Sequence, residues 1–217
     1  MQRGAGRSCR LQARVLEDVS GAQRRERLQY DVVWLIDSDV RPYTGAFSLA
    51  SIERWMKSTG ATIVQPSIMS KTSDGRASDH PWLNIASYSE SCAAERNTVE
   101  VMTPMLTHQA WHSFWYSILH HLDEDHLMSD EGMDTAWCGV ERLHNRTGCL
   151  VLHDVHVVHD NSRTIEKYAT KQGNTATSIR NGGAITYLAH KFPNVFSAAN
   201  AALSQRCFPS PVAVRRR

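Results

Sequence analysis

At 217 residues, with 41% hydrophobic and 21% charged side chains, the chain has the make-up of an ordinary globular protein able to bury one core. Its 24 basic and 22 acidic residues leave a net charge of +2, so the charge of the molecule as a whole implies no polyanionic partner. No apolar run approaches the roughly 18 residues of a membrane span, and the Arg- and Gly-rich start lacks the apolar stretch of a signal peptide, so the chain as it stands reads as soluble.

The basic residues gather at the two ends, Arg3, Arg7, Arg10 and Arg14 early and Arg215 to Arg217 late. They are read as solvated tails, with nucleic-acid or lipid contact at the ends as the alternative, and no nucleic-acid partner is assigned. The five cysteines are scattered without a C-x-x-C, which argues against a zinc or thioredoxin-like motif, and their odd number argues against a complete disulfide framework. The sequon Asn145-Arg146-Thr147 is usable only in a secretory compartment, and short sequons also arise by chance.

Apolar residues at helical spacing predict a helix between Leu11 and Leu28. A strand follows over Asp31–Ile36, and Arg41-Pro42 with Gly45 marks a turn. Phe47, Leu49, Ile52, Trp55 and Met56 predict an amphipathic helix ending near Gly60, then a strand over Ala61–Gln65 closed by Pro66. Strand, helix and strand at this spacing read as a βαβ crossover in a largely parallel sheet. Residues 67–81 read as a long loop, Trp82–Ser91 as an irregular strand and Thr98–Leu106 as a strand. Helices are predicted over His108–Leu122 and Asp130–Leu143. Cys149–Val158 alternates as a strand, with His153 and His159 on one face and His156 on the other. Asp160-Asn161-Ser162 can cap a helix over Arg163–Lys171, and short helices are expected over Ala184–Lys191 and Val195–Leu203.

The organising stretch is Tyr30-Asp31-Val32-Val33-Trp34-Leu35-Ile36-Asp37-Ser38-Asp39. A short apolar run suits a buried strand, and it drives into an Asp-x-Asp where that strand would end. Open α/β sheets bind ligands at the carboxyl ends of their strands. Two carboxylates there suit a hard cation, Mg²⁺ or Mn²⁺, that leaves positions open for phosphate. The alternative is a polar turn after a core strand, since Asp and Ser are common turn residues.

Several motifs in order then resemble a glycosyltransferase-like family known as DUF707. Val99-Glu100-Val101-Met102-Thr103-Pro104-Met105-Leu106-Thr107-His108-Gln109-Ala110-Trp111 resembles its "VE-x-M-x-P-x-x-(S/T)-x-x-AW" core. Tyr30-Asp31 through Asp37-Ser38-Asp39 resembles its "YD-x-x-x-x-x-D-x-D", and Gln65-Pro66-Ser67 its "QP". Trp111 with Trp115, Gly132-Met133-Asp134 and Val157-Val158-His159 match further pieces. The resemblance runs from about residue 30 to 165. It implies a GT-A-type, Rossmann-like α/β domain with a mixed, mainly parallel sheet flanked by helices. A nucleotide-diphosphate sugar donor, a glycan or other hydroxyl acceptor, and Mn²⁺ or Mg²⁺ come with it. Asp39 would contact the metal, Asp37 the metal or the ribose, and His159 would complete the metal shell.

Further roles follow from the same resemblance. Asp134 is the expected general base of an inverting transfer; a helix N-terminal acid that complements the dipole is the plainer reading. Glu100, awkward in an apolar strand, either binds an acceptor hydroxyl or pairs with an internal Arg. Trp111 either stacks on sugar or, like Trp115, packs in the core. One departure is evident. A full GT-A fold opens with a strand and helix that grip the nucleobase, whereas residues 1–29 read as a basic helical lead-in. The expected domain at 30–206, ahead of a basic tail at 207–217, therefore lacks the first nucleotide-binding strand. That leaves two readings: a metal-dependent glycosyltransferase, or a truncated, non-catalytic relative that binds glycan or a protein partner. A metal-dependent phosphohydrolase would need more clustered carboxylates or histidines than the sequence offers. If the chain is a fragment of an anchored protein, the resemblance implies a Golgi setting.

Overall fold

A computed structural model describes residues 30–70, 92–122, 132–159, 183–201 and 207–209. The chain divides into two compact units after Asp31, and the second begins at Val32. The helix expected between Leu11 and Leu28, the irregular strand at Trp82–Ser91, the helix over Arg163–Lys171 and the Arg tail lie outside the described residues.

The first strand, β1, spans Val32–Trp34, and a second, β2, spans Val40–Pro42. Arg41 and Pro42 thus belong to a strand, not the expected turn, which falls just after them at Gly45 (φ 89°). Helix α1, Leu49–Thr59, starts where the Ser48 side chain accepts the Ser51 N–H and stops where Gly60 turns left-handed at φ 70°. Its Ile52, Trp55 and Met56 are buried at the spacing of one helical face.

Strand β3 runs over Ala61–Ser70, well past Pro66. The expected stop at Pro66 fails for a physical reason. Pro66 pairs with Leu152 and Ser67 with His156 on the neighbouring strand, so the register breaks at this point and no ladder hydrogen bond is demanded of the proline nitrogen. Strand β4, Cys92–Arg96, was not foreseen; strand β5 covers only Met105–Thr107, and residues 97–104 are irregular instead of forming the expected strand.

Helix α2, His108–Ser117, is capped by Thr107, whose hydroxyl accepts the Ala110 N–H, and a 3-10 turn at Leu119–His121 ends it. Helix α3, Met133–Leu143, begins after Gly132 (φ 93°), three residues later than expected. Strand β6, Thr147–His159, is the longest. Helix α4 covers 183–191, α5 covers Pro193–Asn200, and β7 at Cys207–Pro209 pairs with β4 where a tail was expected to begin.

The seven strands form one mixed sheet in the order β1-β5-β3-β6-β4-β7, with β2 added against the end of β6. The β3–β6 pairing is parallel and the other described pairings are antiparallel, so the sheet is mixed but not mainly parallel. The expected β1-α1-β3 unit is present in sense, but antiparallel β5 is inserted between its two strands.

Side-chain alternation divides the core between the two faces. Ile63, Leu106, Cys149 and Val151 pack with Phe114, Trp137, Leu188 and Val195 of the helices on one side. Val64, Met105, Leu150 and Leu152 pack with Ile52, Trp55 and Met56 of α1 on the other. Cys138 of α3 and Cys149 of β6 form a disulfide that fastens helix to sheet. At the start of β6, buried Glu141 accepts from Thr62 at 2.5 Å and faces Arg146 at 3.2 Å. Burial raises the Glu141 carboxyl pKa, opposed by the Thr62 hydrogen bond and the Arg146 charge. No helix among the described residues is long and apolar enough to cross a membrane.

Candidate active site

The Asp-x-Asp follows β1 directly. The Leu35 and Asp37 N–H groups donate to the carbonyls of Pro104 and Met102, which prolongs the contact between these segments beyond the strands. The chain then turns, with the Val40 N–H donating to Asp37 O at 3.1 Å, and Val40 starts β2. Asp37 and Asp39 thus sit in a turn between two strands and not in an extended strand.

What meets Asp39 is decided on β6. Between Leu152 and His156 three residues, His153, Asp154 and Val155, bulge out of register with β3. The bulge is anchored: Trp55 Nε1 donates to Asp154 Oδ1 at 2.8 Å, and His156 Nε2 lies 2.6 Å from His153 O. The period-two expectation for the histidines therefore holds only up to the bulge. Beyond it the strand takes a new neighbour. The His156 N–H donates to Ala46 O and the Tyr43 N–H to His156 O, and β2 pairs with residues 157–159. Val40 stands opposite His159, so Asp39 and His159 become neighbours. His159 Nε2 lies 3.3 Å from Asp39 Oδ2, with the side chains 13% and 17% exposed.

A carboxylate and an imidazole facing each other at this distance form a mixed oxygen and nitrogen donor set of the kind Mn²⁺ accepts. A hard cation held by one or two protein groups completes its shell from phosphate and water. On that chemistry the pair fits the ion. No group of three or more His, Cys, Asp or Glu gathers among the described residues. The structure brings Asp39 and His159 together, and Asp37 opens the same turn through its carbonyl.

A second arm of the site is built by the irregular segment after β4. Thr98 Oγ1 donates to Asp134 Oδ2 at 2.9 Å; the Glu100 N–H donates to Gln65 Oε1 at 2.6 Å; Met102 holds Asp37; and Thr103 Oγ1 accepts from Trp34 Nε1 at 3.1 Å. One stretch of chain thus ties Asp134, Gln65 and the Asp-x-Asp strand together. Asp134 sits in the first turn of α3 and also accepts the Thr135 N–H at 2.8 Å. Burial raises its pKa, while the bonds from Thr98 and Thr135 pull the other way.

Glu100 is half-buried at the same crossing. Gln65, fully buried beside it, was not assigned a role from sequence, though an amide in a run of Ile63, Val64 and Pro66 is a visible signal. Its Nε2 finds no hydrogen-bond partner among the described residues. Thr98, which orients Asp134, carried no such signal. Trp111 is half-buried, packs against the helix-side core and lies 6.5 Å from Phe114 between ring centres, which is the core-packing reading of this residue. His153 is buried, as a near-core histidine should be.

No protein-family profile matches the chain, and no curated protein matches it.

Proposed function

We propose that this protein is a metal-dependent, GT-A-like glycosyltransferase of the DUF707 type, moving a sugar from a nucleotide-diphosphate donor to a hydroxyl acceptor. The observation that carries the reading is the approach of His159 to Asp39 at the carboxyl ends of β1 and β6. Asp39 and His159 would hold Mn²⁺ or Mg²⁺, with Asp37 next to them in sequence for metal or ribose. When bound, the ion supplies Lewis-acid stabilisation of charge on the leaving diphosphate.

Asp134 takes the proton of the acceptor hydroxyl. Burial raises its pKa, the direction a general base needs, and Thr98 together with the Thr135 N–H fixes the carboxylate. Glu100 and the Gln65 amide supply polar groups for the acceptor. Trp111 contributes through packing.

A second reading is favoured by one observation. β1 ends the sheet path, so its outer edge pairs with no strand among the described residues, and Val32 and Ile36 are exposed. A relative without a nucleobase grip would bind glycan or a protein partner and not turn over. Turnover of a panel of sugar nucleotides with Mn²⁺ decides between them. The transferase reading expects release of one nucleoside diphosphate that Asp39→Asn abolishes; no release from any donor by the folded protein favours the non-catalytic relative.

A further inference from the structure

The turn between α3 and β6 carries two features that the proposed chemistry leaves unused. The first is the sequon Asn145-Arg146-Thr147. Asn145 is exposed and left-handed at φ 55°. Its N–H donates to Arg142 O at 2.9 Å, and the next N–H, of Arg146, donates to Glu141 O at 3.0 Å. This is the helix-ending geometry that asparagine tolerates, and it leaves the residue on the outside of the fold. Thr147, the third residue of the sequon, opens β6 and donates through its hydroxyl to Thr59 O at 3.2 Å.

The second feature is the Cys138–Cys149 disulfide, which brackets that turn. Both cysteines are fully buried, and their Cα atoms stand 5.5 Å apart, the usual spacing for a disulfide. Protein disulfides persist in oxidising compartments and are rare in the cytosol. N-linked sugar is likewise a surface modification of secreted chains. The sequon and the cysteine pair are independent features, yet they ask for the same compartment. The modified turn also lies at the opposite end of thirteen-residue β6 from His159, so a glycan there leaves the candidate site open.

We infer that Asn145 is an N-glycosylation site of a protein that matures in an oxidising secretory lumen, where Cys138 and Cys149 are joined. In the first reaction Asn145 Nδ2 forms a bond to the anomeric carbon of an oligosaccharide carried on a lipid diphosphate. The carbon–oxygen bond to the diphosphate breaks, Nδ2 gives up one proton, and the lipid diphosphate leaves. In the second reaction the two thiols lose two protons and two electrons to a protein disulfide of the lumen, which is released as a dithiol.

The test is intact-mass measurement and non-reducing peptide mapping of the full chain purified from the cells that make it, with and without peptide-N-glycosidase. The inference expects the enzyme to remove an oligosaccharide and leave Asp in place of Asn145. It also expects the peptides holding Cys138 and Cys149 to travel as one until reductant is added. Asn145→Gly keeps the left-handed turn, so this variant folds and shows no loss of mass on treatment. An unmodified Asn145 in the mature protein, or free thiols at Cys138 and Cys149, overturns the inference.

Discussion

At the scale of single residues, Asp134 sits in an environment that works against its charge. Burial raises its pKa over the opposition of Thr98 and Thr135. Between the ordinary carboxylate range and the raised value, the folded chain keeps a proton that the unfolded chain has lost. Stability therefore falls as pH rises through that window. The neutral, similarly shaped Asp134→Asn is predicted to melt at a higher temperature than wild type at neutral pH, with the advantage vanishing in acid, below the unfolded pKa. The same variant should lose transfer activity by about 10²–10⁴-fold, the usual worth of a general base. In wild type, the acid limb of the rate profile should lie above the range of an exposed carboxylate. A variant that melts lower at neutral pH and keeps its rate would contradict both roles.

At the scale of elements, the bulge in β6 creates the site. Without the three residues His153 to Val155, β6 would stay in step with β3 and the end of the strand would not turn toward β2. Asp154 holds the bulge through the Trp55 indole, which is 1% exposed. Asp154→Ala leaves a buried N–H unpaired and is predicted to cost about 1–3 kcal/mol in denaturant unfolding. It should also weaken metal binding, whereas Asp154→Asn, which retains an acceptor oxygen, should restore most of both. This element also marks the limit of what the sequence discloses. The strand at Val32–Trp34, the cap at Gly60 and the face of Ile52, Trp55 and Met56 were legible because each is a local pattern; the expected burial of the run Val32–Ile36 fails, because β1 ends the sheet path and leaves Val32 and Ile36 exposed. The bulge was not legible, because Pro66 reads locally as a strand end and only the partner strand shows why it is tolerated. The approach of His159 to Asp39 rests on the β2–β6 pairing, which the motif does not encode. Segment 97–104 is apolar enough to pass for a strand, yet its hydrogen bonds go to Asp134, Gln65 and the Asp-x-Asp strand.

At the scale of the whole molecule, helices cover both faces of a mixed sheet, and the Cys138–Cys149 bridge fixes α3, which carries Asp134, to β6, which carries His159. Closing a loop between residues 11 apart in sequence contributes about 2–3 kcal/mol by restricting the unfolded chain. Reduction is therefore predicted to lower the unfolding free energy by that amount, and with it the denaturant midpoint, without changing the folded spectrum, as compared by chemical unfolding with and without reductant. Equal midpoints would mean that packing alone holds α3 on the sheet.

The proposed function stands on Asp39 and His159 forming a cation site that serves a nucleoside diphosphate. The most direct measurement is calorimetric titration of UDP and GDP into the protein with Mn²⁺ and again with chelator, on wild type, Asp39→Ala and His159→Ala. Binding of one nucleotide that requires the metal, vanishes in Asp39→Ala and weakens by at least about 10–100-fold in His159→Ala is the predicted result. Nucleotide binding indifferent to chelator and to Asp39, or none at all by a folded protein, would contradict it.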